Sequence, residues 1–150
     1  MKSAVAFALA SMLALAGCYV GPDANHFVAV LDEIVVPDGW EAAETELRGP
    51  GEETACDPML STTCPAAIRT YATPVDSVTA WDQVAEGLRN AGFEVTTEAR
   101  SSCPSDWCGL LASRGTETIM VTVLPSISEA GISGAYREGA AVQINAHGSD

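Results

Sequence analysis

The chain has 150 residues, 47% of them apolar, with 20 acidic against 7 basic side chains and a formal net charge of -13. That length excludes a multi-domain enzyme, and that acidity excludes a basic nucleic-acid footprint, because each phosphate would be repelled. Five cysteines, an odd number, call for a use that pairing alone cannot supply.

Residues 1–17 read MKSAVAFALASMLALAG. Lys2 gives a positive start, and Ala4 to Ala16 form an apolar run broken only by Ser11. The run fits the h-region of an export signal and falls short of the ~20 residues that span a bilayer. It ends in Leu15-Ala16-Gly17-Cys18. These four residues resemble the lipobox of bacterial lipoproteins: a branched apolar residue, two small residues, then cysteine. The resemblance implies cleavage before Cys18 and acylation of its thiol. An ordinary secretory peptide, cut after Ala14-Leu15-Ala16, is the competing reading.

Removing residues 1–17 takes away the only lysine and no acid, so the net charge deepens from -13 to -14. Residues 18–25 then read as a lipidated tether around Gly21-Pro22, and 26–150 as a single small domain. The partner so implied is the membrane, reached through lipid on Cys18, because an acidic surface is repelled by anionic headgroups. The protein is expected to be exported and held at the periplasmic or extracellular face. Tyr19 follows the cysteine where the lipoprotein family uses Asp for inner-membrane retention. In an organism with two membranes, the resemblance therefore implies the outer one.

Asn25 is placed to cap His26 to Val36, whose β-branched density leaves helix or strand open. Pro37-Asp38-Gly39 signals a turn. Trp40 to Arg48 alternates weakly, and Gly49-Pro50-Gly51 ends it. Ala66 to Ala72 is a strand candidate. Val78, Trp81, Val84, Ala85 and Leu88 share one face of a helix from about 78 to 90, with Ser77 or Thr79 as cap and Gly92 as stop. Strands are expected over Phe93–Thr97, Thr118–Leu124 and Ala140–Ala146, with Gly109–Ser113 left open as a fourth. Residues 126–139 are Gly-rich with a weak helical pattern, and the last four should fray. The expectation is an α+β two-layer sandwich: an antiparallel sheet of about five strands covered by one main helix.

Four cysteines remain beside Cys18. Export exposes them to oxidation, so two local disulfides are expected, Cys56–Cys64 and Cys103–Cys108. A redox site is disfavoured: Trp107-Cys108-Gly109 lacks a cysteine three residues after Cys108, where Leu111 stands. No CxxC pair exists, and His26 and His147 read as solvated loop residues, so no metal is expected. No cofactor motif, catalytic elbow or phosphate loop occurs; Gly131-Ile132-Ser133-Gly134 misses the final glycine.

Glu41, Glu44, Glu46, Glu52, Glu53 and Asp57 read as a solvated face or a contact for a basic envelope protein. Trp81 is expected in the core and Trp40 beneath the first hairpin. Trp107, in a small disulfide loop, is the candidate for an exposed partner contact. The favoured function is a non-catalytic, lipid-anchored envelope module that binds a partner or supports a structure. The alternatives are an envelope hydrolase or a small-molecule binder with a pocket between helix and sheet.

Overall fold

The structure is a computed structural model, and it describes residues 23–43, 45–49, 65–98, 103, 108–127 and 138–148. The first element is helix α1, Ala24–Glu33. Its cap is Asp23, whose carboxylate accepts the His26 N–H at 3.0 Å. Asn25 therefore lies inside the helix, and only residues 19–22 separate Cys18 from the cap. Val28 and Val30 cost a few tenths of a kcal/mol each in helix propensity. Burial of Phe27, Val30 and Leu31 on one face outweighs that cost and settles the region as helix.

Helix α2 spans Ser77–Asn90. Its cap is Asp76, one residue before Ser77 and three before Thr79. The Asp76 carboxylate accepts from the backbone N–H groups of Val78 and Thr79, each at 3.0 Å, and from the Thr79 hydroxyl at 2.8 Å. At the other end Gly92 takes φ +85°, Gly92 N–H donates to Arg89 O, and Phe93 N–H donates to Leu88 O. That pair of bonds is a Schellman stop, with Phe93 and Leu88 both buried beneath it.

One antiparallel sheet holds seven strands: β1 (Glu41–Ala42), β2 (Glu46–Arg48), β3 (Ala66–Ala72), β4 (Glu94–Glu98), β5 (Cys108–Arg114), β6 (Glu117–Leu124) and β7 (Ala141–Gly148). The order is β1-β3-β7-β6-β5-β4, with β2 also on β3. Among the described residues the expected five strands become seven, and the one main helix becomes two. Strands β1 and β2 are two short, exposed pieces of the weakly alternating stretch Trp40 to Arg48, where the sequence reading has one segment. The last strand does not fray where expected. It sits between β3 and β6, and His147 pairs with Ala66 on one side and Thr118 on the other.

Register explains the core. Tyr71, Val142, Val123 and Cys108 form one cross-strand row, and Ala67, Ala146, Ile119 and Ala112 form another. These rows share one buried cluster with Phe27, Val30 and Leu31 of α1 and Trp81, Val84 and Leu88 of α2. Period-two alternation turns the intervening residues to the opposite face, where Leu111 and Met120 are exposed side by side.

The same register sorts the chain into two ends. Arg114, Glu117 and Gly148 lie at one end of the sheet, with the start of β3 at Ala66. Cys108, Leu124, Ala141 and Ala72 lie at the other.

Candidate functional site

The densest polar cluster gathers at the Arg114 end. Arg114 closes β5 and Glu117 opens β6, separated by a turn in which Gly115 takes φ +60°. The Nε and one terminal nitrogen of Arg114 both reach Glu117 Oε2 at 2.8 Å. Its other terminal nitrogen reaches Glu33 Oε2 at 2.6 Å and donates to the Ala91 carbonyl at 2.8 Å, which caps the end of α2. The guanidinium carbon sits 4.3 Å over the Phe93 ring. Glu117 Oε1 completes the chain of contacts at 3.0 Å from His26 Nε2. Arg114 and its partner Glu117 together tie both ends of α1, the stop of α2 and the β5–β6 turn. Partial burial opposes the charged guanidinium, but the hydrogen bonds to Glu33 and Glu117 raise its pKa above the ordinary arginine value.

Arg69 makes a second such link from β3. It pairs with Asp32 of α1 at 2.8 Å and donates to the Thr45 hydroxyl at 3.0 Å. Desolvation opposes its charge, while Tyr71 and Asp32 more than compensate.

A shallow cleft lies where the chain leaves α1. Val35, Val36 and Pro37 form one wall; Gln83, Glu86, Gly87 and Asn90 of α2 form the other. Its volume is ≈ 190 Å³, below the ~300–1,000 Å³ of small-molecule pockets. Gly87 permits the two walls to meet, since a Cβ there would lie 2.5 Å from Val35 O. The Gln83 Oε1 is buried without a hydrogen-bond partner among the described residues. The expected pocket between helix and sheet is not where this cleft lies. That interface is filled by Phe27, Leu31, Val84 and Leu88, each no more than 2% exposed.

Cys103 and Cys108 lie at disulfide distance, with Cα atoms 5.4 Å apart; Cys108 is fully buried, and Cys103 Sγ lies 3.9 Å from Ser77 O at the start of α2. Nearby, the Trp81 indole N–H donates to Gly109 O at 3.3 Å, which fixes the expected core tryptophan against β5. Trp40 packs beside Tyr71, ring centroids 5.8 Å apart. Cys18, Cys56, Cys64 and Trp107 lie outside the described residues, as do Glu44, Glu52, Glu53 and Asp57 of the acidic cluster. Glu41 and Glu46 are exposed on β1 and β2.

Both histidines differ from expectation. His26 is on α1 and engages Glu117; His147 is in a paired strand, because tertiary pairing claims segments that look like loose ends. Sequence reasoning missed the Arg114 cluster altogether. Its members His26 and Glu117 stand 91 residues apart, and no spacing rule connects them. Among the described residues no group of three His, Cys, Asp or Glu could hold a metal ion. Among them, too, no helix is long and apolar enough to cross a membrane.

No protein-family model matches the chain, and no curated protein or solved structure does either.

Proposed function

We propose that the chain is a lipid-anchored cell-envelope protein whose domain acts as a non-catalytic binding or structural module. The observation that carries this reading is Leu15-Ala16-Gly17-Cys18 at the end of an h-region, followed after residues 19–22 by the capped start of a folded helix. Acylation at Cys18 supplies the anchor: each buried CH₂ contributes about 0.8 kcal/mol, so two or three chains hold stably. In this reading α1 and α2 form a second layer over one sheet face, and Cys56 pairs with Cys64. The exposed Leu111–Met120 patch and the acids Glu41 and Glu46 support contact with a partner that is apolar in part and basic in part. Trp107, adjoining Cys108, is the proposed aromatic contact. In a two-membrane organism the protein belongs at the outer membrane.

Cell fractionation tests the anchor. The wild-type protein is expected in the membrane fraction and Cys18→Ala in the soluble exported fraction. Membrane retention of an exported Cys18→Ala protein would contradict the reading.

A further inference from the structure

We infer that the domain holds one orientation on its membrane. The end carrying the β5–β6 turn, Gly115 and Thr116, faces the lipid surface, and the end carrying Cys108, Leu124 and Pro74 faces away. The inference rests on the anchor proposed above, and it follows from tether length and strand register.

The tether is short. From Cys18 to the cap at Asp23 the chain takes five residue steps, which reach at most roughly 18 Å when fully extended. One turn beyond that cap, His26 touches Glu117 at 3.0 Å. The start of α1 is therefore fastened beside the β5–β6 turn. Arg114 fastens Glu33, two helical turns further along α1, to the same place. Helix α1 cannot swing away from that end of the sheet without breaking these contacts.

The domain is longer than its tether. Strand β6 runs from Glu117 to Leu124, which at ~3.3 Å per residue is about 23 Å. Turning the Leu124 end towards the bilayer would lift the attachment point by up to that length above the headgroups. The tether is shorter than that lift, which favours the Arg114 end nearest the lipid.

The chemistry of the Arg114 end agrees with this placement. Gly115 and Thr116 are exposed and uncharged at the tip nearest the tether. The arginines described at that end are both engaged, Arg114 by Glu33 and Glu117 and Arg48 by Glu46, so the lipid anchor and not a cationic patch holds the surface.

The test uses the lipidated full-length protein in phosphatidylcholine vesicles. A photoreactive p-benzoylphenylalanine replaces Thr116 in one variant and Pro74 in another, both exposed positions. Flotation reads the anchor, and mass spectrometry after irradiation reads lipid adducts. Both variants are expected to float, with lipid adduct at position 116 and only background at 74. Floating variants with equal adduct at both positions, or more at 74, would overturn the orientation alone. Variants that do not float overturn the anchor and the orientation with it. Unsubstituted protein gives a second reading. A paramagnetic headgroup lipid is expected to broaden the amide signals of Gly115 and Thr116 and spare those of Thr73 and Val75; the reverse pattern overturns the inference.

Discussion

Replacing Arg114 by alanine removes the group on which α1, α2 and the β5–β6 turn converge, and the structure sets the size of the effect. Glu117, whose side chain is 16% exposed, receives two nitrogens of Arg114; a charge-assisted bond of this kind contributes about 1.5–3 kcal/mol. The bond to Ala91 O and the stacking on Phe93 add about 1 and about 0.5 kcal/mol. Glu33, 53% exposed, adds under about 0.5 kcal/mol, because water screens it. Against these stands the rotamer entropy of an ordered arginine, up to about 2 kcal/mol. The net expectation is a loss of about 2 kcal/mol in urea unfolding at neutral pH. A double-mutant cycle separates the parts. Coupling of Arg114 to Glu117 should exceed its coupling to Glu33 by about threefold. Arg114→Lys should recover little, since a point charge on a flexible stem cannot serve three acceptors at once. An Arg114→Ala variant within about 0.5 kcal/mol of wild type, or a larger coupling to Glu33 than to Glu117, would refute the reasoning.

Three further substitutions probe separate parts of the fold. Hydrogen bonds from the Thr79 backbone and hydroxyl, and then from the Val78 N–H, hold the Asp76 carboxyl below its ordinary 3.8. A carboxyl depressed in the folded state stabilises above its unfolded pKa and loses that contribution as pH falls through the folded value. The stability gap between wild type and Asp76→Asn should therefore narrow on acidification below pH ~4 in urea titrations, and a pH-independent gap would contradict it. Gly139 takes φ +127°, and a Cβ there would collide with Thr73 O; Gly139→Ala should cost about 3 kcal/mol or more by thermal melting, and a neutral result would contradict that packing. Cys103→Ser opens a loop closed between residues 103 and 108 and should cost about 2 kcal/mol on the chain-entropy model; unchanged melting under non-reducing conditions would contradict the bridge.

How far the sequence disclosed these features depended on whether they were local. The amphipathic spacing of Trp81, Val84 and Leu88 and the αL glycine at Gly92 announced α2 with its stop. Strands β3, β5, β6 and β7 were readable to within two residues at each end, because apolar residues recur along them. Helix α1 was ambiguous because Val28 and Val30 favour strand locally, and only the burial of Phe27 and Leu31 against the sheet decides the matter. Strands β1 and β2 showed only the weak alternation of Trp40 to Arg48, and pairing with β3 is what divides that stretch in two. The candidate site divides the same way. The Cys103–Cys108 pair lies within a few residues and could be read directly. The contacts of Arg114 with Glu33 and of His26 with Glu117 cross 81 and 91 residues, and only the folded chain brings them together.

The central claim is that Cys18 is the first residue of the mature protein and carries its lipid. Mass spectrometry of the N-terminal peptide from the membrane-extracted protein tests it most directly. The account predicts a chain beginning at Cys18, heavier than its amino-acid sequence by a thioether-linked diacylglyceryl group. A chain beginning at Gly17 with an unmodified Cys18 thiol, or at Met1, would contradict it.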